Sequence, residues 1–228
     1  MKVMKWSIIA MAVAAGTSQL AMASQQSESK GFVEDASLDL LLRNTYYNRD
    51  FKDGADDLRS WGQGFITTFE SGFTQGPVGF GVDAFGLLGV RLDGGRGYNY
   101  TAMFQEDAEG NPEDNLSQAG AAIKAQFSNT VIKYGNQMPS MPVLAYDDSR
   151  LLPESFTGTL ITSSELEGLE LNAGHFTADS GMPSSSRDSG GLKSIDVIGG
   201  SYSFTDALSA SLYFSDVEDA SIRRNMQT

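Results

Sequence analysis

The side chains best suited to chemistry are charged and paired by sign. Arg150 closes the run Asp147-Asp148-Ser149-Arg150, which sits among Pro139, Pro142 and Pro153. A guanidinium presents a planar two-donor fork that matches a carboxylate. Asp147 and Asp148 beside it can hold a substrate ammonium or fix Arg150 in place. Arg43, Arg91, Lys124 and Lys133 each fall in runs of alternating character and share a side with glycine and polar residues. Cations lining a narrow passage with low-dielectric walls attract carboxylates and replace part of their hydration. The chemistry implied is reversible recognition of anions, with no bond made or broken.

Bond-making chemistry finds less support. His175 is the one histidine, and a Ser-His-Asp site needs a base held by both partners. No Gly-x-Ser-x-Gly elbow leads into a helix. Glu165, Glu167 and Glu170 could pair for glycoside hydrolysis, but they read better as a rim and its turn. Asp53, Asp56 and Asp57, or Asp107 and Glu109, lack the spacing of a calcium loop and read as solvated loop charge. With no cysteine there is neither disulfide nor thiol chemistry. The chain reads as a non-enzyme without cofactor or metal.

The elements that carry these residues are extended. From Trp61 to Phe73, Trp61, Gln63, Phe65, Thr67 and Phe69 alternate with Gly62, Gly64, Ile66, Thr68 and Glu70. After the break at Thr74-Gln75-Gly76-Pro77, Val78, Phe80, Val82 and Ala84 alternate with Gly79, Gly81, Asp83 and Phe85 as far as Leu92. Period-two alternation means strand, and the Gly-Pro turn makes an antiparallel hairpin. Soluble strands run about 5–6 residues, whereas a tilted strand crossing a bilayer needs about 9–11. Both strands exceed the soluble norm. An apolar face opposite a face of glycine and scattered charge fits a barrel greasy outside and wet inside. Further strands are expected at 37–48, 117–127, 131–137, 159–166, 169–177, 195–204 and 208–217.

The start of the chain agrees with export. Lys2 and Lys5 precede an apolar run from Ile8 to Ala15, and Leu20-Ala21-Met22-Ala23 offers a small-x-small cleavage site. Residues 1–23 are therefore expected to be a signal peptide and 24–228 the mature portion. Without Lys2 and Lys5 the balance is 14 basic against 29 acidic side chains, a net of -15 where the whole chain carries -13. Such acidity disfavours nucleic acid. No second apolar run is long enough for a spanning helix, so a membrane protein of this sequence must be a closed barrel.

Short breaks at Gln75, Asn129, Glu167 and Asp206 alternate with long ones at Gly54, Gly110, Tyr146 and Ser185. Outer-membrane barrels place short turns on the periplasmic rim and long loops outside. About nine strands are counted, whereas bacterial barrels use even numbers. The tail from Ser221 to Thr228 does not resemble a closing strand, so a truncated precursor is expected. The alternative is a secreted or surface β-sandwich that binds ligands through its loops without a pore.

Five segments carry a family resemblance. Residues 31–44 read Gly-Phe-Val-Glu-Asp-Ala-Ser-Leu-Asp-Leu-Leu-Leu-Arg-Asn; 69–76 read Phe-Glu-Ser-Gly-Phe-Thr-Gln-Gly; 79–86 read Gly-Phe-Gly-Val-Asp-Ala-Phe-Gly. Ser149-Arg150-Leu151-Leu152-Pro153 and Ala173-Gly174-His175-Phe176 complete the set. The chain resembles the N-terminal half of an OprD-family outer-membrane porin. The resemblance implies an all-β, antiparallel up-and-down transmembrane barrel of about eighteen strands when whole. It implies a narrow pore for passive uptake of small carboxylate-bearing solutes, amino acids among them, in the bacterial outer membrane. It also implies a monomer or loose homotrimer, and a third long loop folded inward as the constriction, the place of residues 138–158. Arg150 is the leading candidate for that constriction. The family's second half has no counterpart in this chain.

Overall fold

The computed structural model describes residues 24–52, 54, 57–93 and 103–219. The expected signal peptide, Asp53, Asp56 and the tail 221–228 lie outside the described residues. A short 3-10 turn, Gln25–Glu28, is followed by β1 (Ser37–Arg49), β2 (Leu58–Glu70), β3 (Gly79–Asp93), β4 (Asn115–Phe127) and β5 (Thr130–Gln137). A two-stranded ribbon, β6 (Ser140–Met141) with β7 (Leu144–Ala145), comes next. Then follow β8 (Ser155–Leu166), β9 (Leu169–Ser180), β10 (Leu192–Thr205) and β11 (Leu208–Asp219).

Apart from the ribbon, the strands form one 9-stranded sheet in the order β1-β2-β3-β4-β5-β8-β9-β10-β11. Every pairing is antiparallel between successive strands. A Greek-key sandwich would cross between two sheets; this is an up-and-down meander. Among the described residues β1 and β11 are its edges.

Strand lengths of 12–15 residues in all the strands of the 9-stranded sheet but β5 explain why the alternation is so legible. Each face is set by parity. On the outer flank Ile123 is 64 % exposed and Leu212 66 % exposed, alongside exposed Phe65, Phe80, Ile132, Ile198 and Phe214. On the inner flank Gln126 is 5 % and Lys124 9 % exposed, although both are polar. Apolar out and polar in is the reverse of a soluble core and suits a sheet whose outer solvent is lipid. No described helix is long and apolar enough to cross a membrane.

The inner flank is not simply wet. Ile66, Leu87, Met103, Phe104, Leu116, Leu151 and Leu152 form a buried apolar cluster, and Met141, Leu144, Phe156, Phe176, Ile195 and Val197 form another. Leu151 and Leu152 belong to the connection between β7 and β8, Met141 and Leu144 to the ribbon, and Phe104 to the β3–β4 connection. Segments folded against the inner wall need apolar contacts of their own to stay there, since loop closure costs entropy.

The rims depart from strict alternation at one place. The β4–β5, β8–β9 and β10–β11 connections are two residues each, 128–129, 167–168 and 206–207. The β1–β2 connection 50–57 and the β2–β3 connection 71–78 are equal in length. The latter extends the ladder, because Ser71 N–H donates to Val82 O (2.9 Å) and Thr74 N–H to Phe80 O (2.9 Å). It also receives the N-terminal segment. Buried Gln26 donates through Nε2 to Thr74 O (2.9 Å) and Gly76 O (3.1 Å), and its N–H reaches Ser128 O (3.1 Å). One strap thus ties two neighbouring turns of the short rim.

The sidedness makes a direct prediction. Leu212→Arg places a charge on the lipid flank and should cost about 2–4 kcal/mol near the bilayer midplane, while Ser211→Arg on the opposite face should cost far less. Urea titration of the full protein folded into vesicles should separate the two; equal midpoints would contradict the orientation.

Candidate functional site

The register of β1–β4 lines up Arg43, Gly64, Gly89 and Leu116 as successive cross-strand partners. All four are on the inner flank. Two adjacent glycines leave a shallow trough, and residues 150–152 lie in it. A Cβ on Gly64 would stand 2.9 Å from the Leu151 carbonyl oxygen, and one on Gly62 2.8 Å from Leu151 Cδ2. The absence of side chains there is what lets the loop backbone approach the wall.

Arg43 closes the trough. Its Nη1 and Nη2 donate to Asp148 Oδ1 and Oδ2 at 2.7 and 2.8 Å, a two-point fork, and Nη1 also donates to the Arg150 carbonyl at 2.8 Å. Arg43 is thus the tether of the loop between β5 and β8. The sequence places Asp148 beside Arg150 as its holder, whereas the fold gives it to Arg43, because the register of β1 brings that guanidinium under the loop. Asp147 accepts the Ser149 N–H at 2.7 Å. The Ser149 hydroxyl and amide, and then the Arg150 charge, hold its carboxyl below the ordinary value. Arg150, half-buried at the turn, keeps Nη1 near the Ser149 carbonyl (3.4 Å) and hydroxyl (3.2 Å).

The loop itself runs from Met138 to Glu154, four residues shorter than the sequence suggests, because β8 starts at Ser155. Its second half, Asp147 to Glu154, is closed by a reciprocal pair. Glu154 N–H donates to Asp147 O (2.9 Å), and Asp147 N–H donates to Glu154 Oε2 (3.0 Å). Burial, followed by the nearby charges of Asp179 and Asp147, raises the Glu154 carboxyl above its ordinary 4.5, against the lowering effect of the Asp147 amide.

The remaining candidates occupy two other places. Lys124 and Lys133 are direct cross-strand partners on β4 and β5, a like-charge juxtaposition that is unfavourable by itself. Asp83 on β3 resolves it: Lys124 Nζ lies 2.6 Å from Oδ1, and Lys133 Nζ pairs with Oδ2. Two ammoniums and one carboxylate leave one positive charge on this part of the wall. Lys124 Nζ also stands 4.9 Å above the Phe73 ring. Arg91 pairs instead with Asp114, which also accepts the Arg91 amide (2.9 Å) at the β3–β4 rim. The expected uniform row of cations is therefore a tether, a compensated lysine pair and a rim pair.

One basic residue escaped the sequence reading. Arg187 lies in the Ser/Gly/Pro-rich connection 181–191, and its Nη1 donates to Asn136 Oδ1 (3.3 Å) on β5. No alternation marks it, and only the inward fold of that connection brings it to the wall.

The residues weighed for catalysis are used elsewhere. His175 Nδ1 is 2.7 Å from Asp196 Oδ1, and both side chains are exposed on the outer flank. Glu165 accepts from the Ser128 hydroxyl (2.8 Å), the Asn129 amide (2.9 Å) and the Thr130 hydroxyl (2.8 Å), bracing a turn. Asp107 accepts the amides of Glu109 (3.0 Å) and Asn111 (2.8 Å), also within a turn. Among the described residues no group of three or more His, Cys, Asp or Glu side chains is placed to hold a metal.

Comparisons with known proteins agree with this architecture. Residues 30–225 match the family described as outer membrane porin, OprD family. Porin D of Pseudomonas aeruginosa is 52% identical over 232 residues, covering 96% of this chain and 52% of that protein. The crystal structure of OccAB1 from Acinetobacter baumannii superposes with a TM-score of 0.81 at 42% identity, over 86% of this chain and 48% of that one. The crystal structure of Pseudomonas aeruginosa OpdK with vanillate gives 0.76 at 39% identity, over 82% of this chain and 50% of that one. The chain thus spans about half the length of the relatives it matches.

Two predictions concern the tether and the Asp147–Glu154 pair. Arg43→Gln removes the fork to Asp148 and should loosen residues 147–152, with a loss of roughly 1.5–3 kcal/mol in local stability. Faster amide exchange in that segment, with β8 and β9 unchanged, is the expected signature. For Glu154 the folded pKa is raised, so its contribution to loop stability is complete below pH 4.5 and falls as pH rises through the higher folded value. Glu154→Gln should therefore tighten the loop at pH 7 and leave it unchanged at pH 4. Limited proteolysis across that range checks the sign.

Proposed function

The chain belongs to the OprD family of outer-membrane porins, and from that premise we propose that it forms one wall and the constriction of a passive channel for small carboxylate-bearing solutes. The observation that carries this reading is the loop 138–154 lying in a glycine trough on the inner flank, tethered by Arg43 through Asp148 and the Arg150 carbonyl. A pore needs such a constriction to be rigid, because selectivity depends on charges held at fixed positions in a confined space.

Arg150 is the residue assigned to meet the solute. Its backbone carbonyl is fixed by Arg43, so the side chain projects from an anchored point. A passing carboxylate exchanges water for a guanidinium fork, a contact strong enough to admit it and weak enough to release it. The compensated trio Lys124–Asp83–Lys133 supplies one further positive charge without a deep well in which an anion would be trapped. Amino acids are the finer assignment, since Asp147 beside Arg150 offers an acceptor to an ammonium. The OpdK structure solved with vanillate supports a carboxylate class, vanillate being an aromatic carboxylate.

In planar bilayers containing the full protein, Arg150→Ala should lower the anion-to-cation permeability ratio about threefold to tenfold, the equivalent of one charged contact at partial exposure. Arg150→Lys should retain part of the preference. An unchanged zero-current potential in Arg150→Ala would remove this residue from the mechanism.

A further inference from the structure

The connection 181–191 between β9 and β10 is bound to the inner flank at several points. Buried Gln118 on β4 donates through Nε2 to Gly181 O (3.2 Å) and to Ser184 O, and the Ser117 amide donates to Ser185 Oγ (3.2 Å). The Asp188 amide donates to the buried Ser180 hydroxyl (2.9 Å). A connection on the long-loop rim therefore folds down beside the constriction loop instead of standing in solvent.

At its tip four side chains close a ring. Arg187 Nη1 donates to Asn136 Oδ1 (3.3 Å), Asn136 Nδ2 donates to Thr157 Oγ1 (2.6 Å), and Thr157 Oγ1 donates to Asp188 Oδ1 (2.6 Å). Arg187 Nε lies 3.8 Å from Asp188 Oδ2, which completes the circuit. The ring exists because Gly135 takes φ +133, which turns the buried Asn136 to the inner side, where its Cβ stands 2.7 Å from a Cβ built on Gly120. Asp188 is one of two described non-glycine residues with positive φ, at +57. Aspartate is among the residues that adopt this conformation readily, and the contacts above hold it there.

The outcome is a guanidinium and a carboxylate fixed side by side, with side chains 56% and 40% exposed. Their mutual contact is long and leaves the charges open to other partners. We propose that Arg187 and Asp188 form a second selectivity station that reads zwitterions, the solute carboxylate meeting Arg187 and its ammonium meeting Asp188. The station has no net charge, so it ranks a dipolar solute above a simple anion. Asn136 and Thr157 are positioning residues. This inference rests on the porin reading and adds a second point, on the β9–β10 connection, at which a zwitterion is read.

The test uses the full protein in liposomes and planar bilayers, with glycine as the zwitterion and acetate as its ammonium-free counterpart. Asp188→Asn, which keeps the size of the side chain and tolerates positive φ, should lower the glycine-to-acetate permeation ratio about threefold to tenfold. It should also move the zero-current potential towards anions. Arg187→Gln should slow both solutes, and Arg187→Lys should recover part of the loss. An unchanged ratio in Asp188→Asn, or unchanged rates in Arg187→Gln, overturns the station. If Arg150→Ala still shifts the potential while these two variants do nothing, the station fails and the porin reading stands. If the unmodified protein passes neither solute, both fail.

Discussion

The constraint on which this structure depends is that backbone N–H and C=O groups have no solvent partner in hydrocarbon. Each must be paired within the protein. A meander of long antiparallel strands meets that demand between each pair of successive sheet strands from β1 to β11. Once the ladder is continuous, side chains have only two destinations. Residues such as Ile123 and Leu212 must face lipid, and their neighbours must face the enclosed side. The inversion of polarity relative to a soluble protein follows from the ladder.

On the inner side, connections between strands fold back onto the wall. These are held by two kinds of contact. Apolar residues such as Phe104, Leu151 and Phe156 make buried clusters where water is absent. Charged forks such as Arg43 with Asp148 fix orientation, which apolar contacts do not do. The tether adds local stability to residues 147–152 as well as fixing their place. It thereby sets where Arg150 begins.

Charge on the inner wall is largely paired, with one positive charge left over where two lysines share a carboxylate. Arg43 has Asp148, Arg91 has Asp114, and Lys124 with Lys133 shares Asp83. The same arrangement limits self-repulsion between Lys124 and Lys133, which the sheet register sets directly opposite each other.

The local pattern alone determined the nine strands of the sheet, their two faces and that Arg43, Lys124 and Lys133 share the inner flank, because a side-chain period of two is a property of consecutive residues. It also marked Pro139, Pro142 and Pro153 as a break in the sheet, since proline cannot donate to a ladder. Strand ends were less legible: β8 begins at Ser155, where a small bulged segment hides the alternation. The partners were not legible at all. Asp148 with Arg43, Asp83 between two lysines, and Arg187 with Asn136 join residues far apart in the chain. Register, the kink at Gly135 and the glycine trough decide those meetings, and each is a relation between strands that no single stretch of sequence contains.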